Sequence, residues 1–217
     1  MDPLMEELLS AGVSPDNVTL VFARGSHRHH SQQEMAHLAG NWYGKICCVD
    51  SDSENVIHLG TTSSGTPVDI DARVVQADQR ICLGNVEFHY FAGYSGGAKA
   101  IMPGVSTVSA ITMNHRMMVD PRARAGNLDD NPVRRDIEEA GKMTGIDFIV
   151  NVVLNTRKQI IYCAAGDSIQ AHRDACAYLN GIYRSPISAK ADIVIVSQGG
   201  APKDLNLYQT QKALDNA

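Results

Sequence analysis

The segment from His89 to Lys99, HYFAGYSGGAK, combines the residue types that a reactive site needs. It begins with an imidazole, passes through a turn rich in glycine and ends with a primary amine. A second imidazole, His115, follows Lys99 at a distance of 16 residues in the sequence. The glycines give the backbone conformations closed to other residues and let a ligand approach closely. The pattern therefore indicates a ligand site rather than a core segment.

A phosphate-binding P-loop is the first motif to test against this segment. Counted from Gly93, the pattern GxxxxGK[ST] requires glycine where Ala98 stands and serine or threonine where Ala100 stands. The lysine fits, but these two positions do not. The comparison therefore disfavours a P-loop.

A serine nucleophile elbow is the second motif. The residues Gly93–Gly97, GYSGG, match GxSxG literally and would make Ser95 the nucleophile. Asp167 and His172 follow in the order that a hydrolase triad needs. This interpretation leaves the flanking histidines and the lysine without a role, but it stays open as an alternative.

A cofactor cradle is the third interpretation. A lysine amine such as that of Lys99 can anchor a cofactor covalently or through its charge when its surroundings suppress protonation. His115 could then bind a metal that the cofactor holds. Imidazole suits nickel, copper, zinc and iron alike, so these residues alone do not name the metal.

The histidines also suggest acid–base chemistry. His89 and His115 flank the lysine, and His27 lies in a Gly-Ser-His-Arg loop directly after an apolar run. Two histidines on opposite sides of a substrate would give two general bases near neutral pH. An enzyme that handles both mirror images of one substrate needs that arrangement. The other histidines have ordinary roles as exposed or capping residues: His29, His30, His37, His58 and His172.

Composition excludes several classes of protein. The chain has 217 residues, 44% of them hydrophobic, and a net charge of -5, which argues against nucleic-acid binding. No apolar stretch is long enough to span a bilayer, and the acidic start resembles no signal peptide. The five cysteines form no CxxC pair, which predicts buried thiols in a reducing cytoplasm. Cys47 and Cys48 are poor candidates for a metal site, because adjacent strand residues point to opposite faces.

The order of predicted elements indicates an α/β fold. Strands alternate with helices, which predicts a single Rossmann-like domain over 1–217 with a mostly parallel sheet flanked by helices. Phe148–Leu154 and Gln159–Cys163 are predicted to form an additional hairpin, and Val18–Ala23 and Ala191–Ser197 are predicted to be strands. Helices are predicted near Lys99, over Val105–Met118 and over Val133–Thr144, the last capped by Asn131-Pro132. Ligands of such sheets lie beyond the carboxyl ends of strands, a position that loops 25–30, 92–97 and 199–204 occupy.

Four stretches resemble the nickel-pincer-nucleotide lactate racemase family and its 2-hydroxyacid racemase and epimerase relatives. The resemblance itself runs over essentially the whole chain. The four stretches are RGSHR at 24–28, HYFAGYSGGAK with His115 at the expected spacing, DPRARAGNLDDNPVRRDIEEA at 120–140, and GGAPKDLNLYQTQKALD at 199–215.

The resemblance implies a role for each candidate residue. Lys99 would tether a pyridinium-derived mononucleotide that carries nickel, and His115 would be the protein ligand to that nickel. The residues implied to act as acid and base toward the two enantiomers are His27 and His89. The residues implied to line the cofactor are Tyr94, Ser95, Gly96 and Gly97. The residues implied to hold the substrate carboxylate are Gln209 and Lys212.

The resemblance also implies the reaction: racemisation or epimerisation of a small, lactate-like 2-hydroxy acid by transient hydride transfer to the tethered group. Two alternatives remain. Labelling of Ser95 by a fluorophosphonate would favour a serine hydrolase. A persistent lack of nickel beside the cofactor-making enzymes would favour a non-catalytic ligand-binding domain.

One departure from the family pattern concerns the ends of the chain. Members carry an acidic DDxTRP-like segment upstream and continue into a second domain, and neither is present in this sequence. We therefore expect the chain to be the cofactor-anchoring part of a longer two-domain enzyme that lacks its N- and C-terminal segments. In isolation it should have little or no activity. Its cofactor content should depend on the expression host, and the cofactor-free form is expected.

Overall fold

The computed structural model describes residues 1–197, 199–200 and 207–214. The helices are α1 (Asp2–Ser10), α2 (Gln32–Ala39), α3 (Ala72–Gln76), α4 (Val108–His115), α5 (Pro132–Thr144), α6 (Gln170–Tyr183) and α7 (Leu207–Leu214). The strands are β1 (Thr19–Phe22), β2 (Cys47–Asp50), β3 (Val56–Thr61), β4 (Pro67–Asp71), β5 (Ile81–Asn85), β6 (Phe88–His89), β7 (Gly93–Tyr94), β8 (Phe148–Leu154) and β9 (Ile160–Gly166).

The strands form small sheets rather than one continuous sheet. β1 pairs with β2 in parallel, and β5 pairs with β8 in parallel. β8 and β9 form the predicted antiparallel hairpin, while β3–β4 and β6–β7 are further antiparallel pairs. The α/β class is therefore confirmed, but the parallel character is only partial. Short connections such as that between β8 and β9 allow antiparallel pairing, since a parallel pair needs a long crossover.

Local signals explain where the helices begin. Asn131 caps α5 by accepting a hydrogen bond from the Arg134 backbone, and Pro132 occupies the first helical position, as the sequence predicts. The helix predicted over Val105–Met118 begins later, at Val108, because the Thr107 side chain caps it.

Three other expectations differ from the structure. The predicted strand Ala191–Ser197 is irregular, with Ile193 82% and Ile195 94% exposed. Within the described part of the chain no strand pairs with it, and an apolar run forms a strand only where a partner accepts its backbone hydrogen bonds. The helix predicted near Lys99 is a short 3₁₀ helix, Gly97–Ala100, preceded by the β6–β7 pair. Most of the predicted ligand loop 199–204 lies outside the described residues.

The cysteines are free, but only Cys82 and Cys176 are buried, which corrects the expectation of buried thiols. Cys47 and Cys163 are exposed because they lie on strands at the edges of their sheets, with one face open. Among the described residues, no helix has the length and apolar character needed to cross a membrane.

The main core lies directly beneath the segment His89–Lys99, called the glycine segment below. α6 packs on β8 and β9, where Ile149 and Val153 are fully buried, whereas α5 packs against α4, β3 and β4. α5 also contacts the 3₁₀ helix: an added Cβ on Gly141 would lie 2.6 Å from the Ala98 Cβ. The close approach that this glycine permits brings Lys99 to the edge of the core.

Candidate active site

A buried arginine holds the backbone of the glycine segment from below. Arg134 has no exposed surface, and its Nε donates to the Ala92 carbonyl at 3.1 Å. Its Nη2 donates to the Tyr94 carbonyl and its Nη1 to that of Gly96 at 3.5 Å. Burial lowers the pKa of Arg134 to about 10. The guanidinium remains charged at neutral pH and fixes three carbonyl groups with one rigid fork.

Two further buried side chains hold the end of the segment. His172 Nε2 donates to the Ser95 carbonyl at 2.8 Å, and Asn151 Oδ1 accepts from the Gly97 N–H at 2.8 Å. Burial, reinforced by the nearby Arg134 charge, lowers the pKa of His172 to about 3. His172 is therefore neutral at physiological pH and serves as a buried hydrogen-bond donor, which corrects the expectation that it is an exposed or capping residue.

The glycines that were predicted to line a cofactor pack closely against these side chains. Gly96 and Gly97 have φ values of +77° and +59°. A Cβ on Gly96 would lie 2.7 Å from Asn151 Oδ1, and one on Gly97 would lie 3.0 Å from the His172 ring. Their lack of a side chain lets the segment approach β8 and α6.

Tyr94 and Ser95 also bond to the protein itself. Tyr94 is buried, and its hydroxyl donates to Asn180 Oδ1 at 2.7 Å. Ser95 Oγ donates to the Asn85 carbonyl and accepts from the Glu87 N–H, both at 2.8 Å. Both side chains thus fix the segment on its scaffold.

The residues of the alternative hydrolase triad do not form one. The Ser95 hydroxyl is engaged with backbone, and His172 bonds to the Ser95 carbonyl rather than to that hydroxyl. Asp167 accepts two backbone N–H bonds at the start of α6. This arrangement provides no base for the hydroxyl and no acid to orient the imidazole.

Two of the candidate histidines pack against one aromatic ring. The buried Phe91 ring lies 4.6 Å from the His89 ring and 4.9 Å from the His115 ring, with interplanar angles of 87° and 67°. Asn131 Nδ2 donates to the Phe91 carbonyl at 2.9 Å and so fixes this residue. The structure thus brings His89 and His115, which lie 26 residues apart in the sequence, to a common site.

His89 has one nitrogen committed to the glycine segment. The Ala92 N–H donates to His89 Nδ1 at 3.2 Å. A nitrogen that accepts a hydrogen bond carries no proton, so neutral His89 holds its proton on Nε2.

Lys99 lies close enough to His115 for its positive charge to affect the imidazole. Both are partly buried, and the pKa of His115 is lowered, first by burial and then by the positive charge of Lys99. A neutral imidazole therefore lies near a primary amine. This pair could anchor a carbonyl-type group at the amine and bind a metal at the imidazole.

The loop Arg24–His30, called the histidine loop below, joins the site through backbone contacts. Gly25 N–H donates to the Gly104 carbonyl at 2.8 Å, and Gly104 N–H donates to the Lys99 carbonyl at 3.1 Å. His27 is exposed on this loop. The third predicted histidine is thus linked to the residue that carries the amine.

Surface hydrogen bonds and ion pairs hold the rest of the histidine loop. Arg24 Nε donates to the Ser51 carbonyl at 3.0 Å, and Arg24 Nη1 to the His27 carbonyl at 2.8 Å. His29 and His30 both contact the Asp50 carboxylate.

Some residues that hold the candidate site in place had no clear signal in the sequence. Arg134 and Asn131 lie in the stretch that carried the resemblance, but nothing in their spacing indicates that they hold the glycine segment. Their pairing with residues some forty positions earlier is set by tertiary packing. Gln209 and Lys212 fall within α7, and their side chains lie outside the described residues. No group of three metal-binding side chains occurs among the residues that the structure describes.

Comparison with known proteins places this architecture among lactate racemases. The family model for the lactate racemase N-terminal domain matches residues 1–126. The lactate racemase of Thermoanaerobacterium thermosaccharolyticum is 38% identical over 97% of this chain, and that of Lactiplantibacillus plantarum is 33% identical over 94%. The chain spans about half the length of these curated relatives, 50% in each case.

A solved structure of similar fold supports the same family. The lactate racemase apoprotein from T. thermosaccharolyticum superposes with a TM-score of 0.85 at 38% identity, over 95% of this chain and 50% of that one. A crystal structure of a Thermotoga maritima protein matches in fold, with a TM-score of 0.70 at 20% identity over 82% of this chain and 49% of that one. The chain therefore belongs to the lactate racemase N-terminal domain family.

Proposed function

We propose that this chain is the cofactor-anchoring part of a racemase or epimerase that acts on a small 2-hydroxy acid such as lactate. The family assignment supports racemase chemistry. The observation that carries the proposal is the convergence of one amine and two imidazoles: Lys99 lies near His115, and His115 shares the Phe91 ring with His89.

The residues at the site fit a nickel pincer nucleotide. Covalent attachment needs a primary amine, for which Lys99 is placed, and nickel needs a nitrogen lone pair, which neutral His115 has. When bound, such a group would accept and return a hydride at C2 of the substrate. The buried bonds to the glycine segment hold the two anchors in place, which favours a preorganised site. Tyr94, Ser95, Gly96 and Gly97 would then support the cofactor by positioning the backbone beside Lys99.

His89 would exchange a proton with the substrate hydroxyl. In its neutral form it presents Nε2–H, which can donate to the substrate oxygen. Its only lone pair is on Nδ1, so to take up a proton it must release the Ala92 N–H, because the charged imidazolium has no acceptor lone pair. Proton transfer at His89 is thus coupled to a small movement of the glycine segment.

His27 would serve the opposite enantiomer. Racemisation through a planar intermediate needs acid–base groups on both faces, and the histidine loop is tied by backbone to the Lys99 segment. The exposed position of His27 suits a base that closes on the substrate when it binds. Gln209 and Lys212 are proposed to hold the substrate carboxylate.

Mass spectrometry of the chain expressed with nickel and the cofactor-making enzymes tests the proposal. We expect a mononucleotide-sized adduct on the Lys99 peptide. Lys99→Arg, which keeps the charge, should abolish the adduct, whereas Lys142→Arg on the exposed face of α5 should retain it. His115→Ala should retain the adduct and lose nickel.

A second measurement addresses turnover. Chiral chromatography would follow the optical purity of L-lactate and D-lactate, and we expect the loaded chain alone to change it slowly or not at all, since it spans about half the length of its relatives. An unmodified Lys99 peptide, under conditions that load a known lactate racemase, would overturn the proposal. That result would favour a ligand-binding domain that retains the fold without the cofactor.

A further inference from the structure

We infer that Asn114 is a positioning residue that fixes His115 in the tautomer with its proton on Nδ1 and its lone pair on Nε2. The claim that this tautomer prepares His115 to bind a metal rests on the function proposed above. The tautomer itself follows from the hydrogen bonds around Asn114 and can be measured in the protein without any cofactor.

The amide of Asn114 has its orientation set by two acceptors. Asn114 is fully buried near the end of α4, and its Nδ2 donates to Asp136 Oδ2 at 2.7 Å and to the Val133 carbonyl at 3.3 Å. Both hydrogens of the amide nitrogen are therefore used. Rotating the amide by half a turn would place its oxygen against a carboxylate and a carbonyl, which are acceptors only.

This orientation determines the proton position on His115. The remaining atom, Asn114 Oδ1, lies 3.1 Å from His115 Nδ1. An amide oxygen only accepts, so the imidazole nitrogen must donate. Neutral His115 then carries its proton on Nδ1 and its lone pair on Nε2.

Asp136 is itself held in place from the opposite side. The Thr62 hydroxyl donates to Asp136 Oδ1, and the Thr66 N–H donates to Thr62 Oγ1 at 3.1 Å. Thr62, Thr66 and Asp136 are all buried, with Asp136 only 1% exposed. The tautomer of His115 is thus determined by a chain of buried hydrogen bonds that runs from α4 through α5 to the β3–β4 turn.

A metal-binding histidine requires such a series of hydrogen bonds. Metal-bound imidazoles donate their other N–H to a fixed acceptor, which sets both the ring orientation and the ligand basicity. Here the acceptor is an amide oxygen whose own orientation is enforced by a buried carboxylate. Asn114 would act through His115 without touching the metal.

Nitrogen NMR of the ¹⁵N-histidine-labelled, cofactor-free chain tests the inference. His115→Gln assigns the His115 signals, and two-bond proton–nitrogen correlations identify the protonated nitrogen. We expect Nδ1–H for His115 in the wild type. Asn114→Ala should shift His115 toward Nε2–H. The exchanged pair Asn114→Asp with Asp136→Asn, which keeps an acceptor for His115 and a donor opposite it, should retain Nδ1–H. Thr112→Ala, an exposed control on the same helix, should change nothing.

An Nε2–H tautomer in the wild-type protein overturns the inference without requiring any variant. A tautomer that is unchanged in folded Asn114→Ala also overturns it. If Asn114→Ala does not fold, the tautomer of the wild-type protein still decides the outcome.

Nickel retention on the adduct-bearing chain tests the link to the proposed function. Loss of an outer-shell partner lowers metal affinity by about 10–100-fold, so Asn114→Ala should retain less nickel than Thr112→Ala. If NMR confirms the tautomer but the chain never gains a Lys99 adduct, Asn114 still positions His115. Only the proposed metal-binding function of His115 would then fail. Equal nickel retention by the two variants would show that the tautomer does not govern metal binding.

Discussion

The glycine segment and the histidine loop each present a candidate acid–base histidine, but they are held in opposite ways. Around His89, buried side chains on α5 and α6 bind the backbone carbonyls, and Arg134 alone binds three of them. Around His27, the contacts are made by more exposed side chains: Arg28 pairs with Glu34, and the exposed His29 and half-buried His30 pair with Asp50.

The difference separates a rigid side of the site from an adaptable one. Buried polar bonds are costly to break because the partners lose access to water, whereas exposed ion pairs contribute little. The anchors proposed for the cofactor, Lys99 and His115, are on the rigid side. His27 is on the side whose geometry can adjust when a substrate binds.

The largest expected effect is that of removing the buried guanidinium. Arg134→Met leaves the carbonyls of Ala92, Tyr94 and Gly96 buried without a donor, which should lower the free energy of unfolding by about 3–5 kcal/mol. Urea denaturation measures the change. Arg135→Met, at the next and exposed position of α5, should cost under about 1 kcal/mol. Equal losses in the two variants would remove the basis for calling the glycine segment rigid.

The second-largest loss of stability is expected at Gly96, which is closely packed. Gly96→Ala places a Cβ in the left-handed region and against Asn151 and Val86, so we expect a loss of about 2–4 kcal/mol. Gly65→Ala is the matched control, because Gly65 has φ +86° and open space around its Cβ position. It should cost about 1 kcal/mol from the backbone alone. A Gly96→Ala variant as stable as this control would mean that the segment has room to move.

Acidification should weaken the same region through His172. Its pKa is about 3 in the folded protein and 6.5 ordinarily, so below pH 6.5 the unfolded chain binds a proton that the folded protein does not. Stability should therefore fall as the pH drops from 6.5 toward 3, by up to about 1.4 kcal/mol per pH unit from this group.

His172→Gln, which keeps a donor for the Ser95 carbonyl, should remove this part of the pH dependence. His37→Gln, on the exposed face of α2, should not. Denaturation curves collected between pH 7 and pH 4 make the comparison. A parallel decline in His172→Gln and wild type would show that His172 is protonated in the folded protein, and would contradict the buried, neutral donor.

The smallest effect is expected in the histidine loop. Asp50→Asn weakens the contacts with His29 and His30, and it should cost about 1 kcal/mol or less while increasing hydrogen exchange in that loop. Asp69→Asn, which disturbs the single pair with His58, controls for a generic surface change. A loss as large as that of Arg134→Met would show that the two sides of the site are equally rigid.

The sequence was most informative where the signals are local. The Asn131-Pro132 cap and the β8–β9 hairpin depend on neighbouring residues and are present as predicted. The strand predicted at Val18–Ala23, another local signal, is observed at Thr19–Phe22. The strand expected at Ala191–Ser197 failed because strand formation depends on a partner, which an apolar run does not itself specify. The same limit applies to the sheets, whose pairing is only partly parallel.

By itself the sequence determined which side chains could do chemistry: an amine and histidines around a glycine turn, in a spacing similar to that of lactate racemases. Only the tertiary structure decided what those residues meet. It turned Gly96 and Gly97 toward the core, bonded the Ser95 hydroxyl to backbone, and joined His115 through Asn114 to Asp136, 21 residues further along the chain. The physical reason is that hydrogen-bond partners and burial depend on packing between distant segments, which local spacing does not encode.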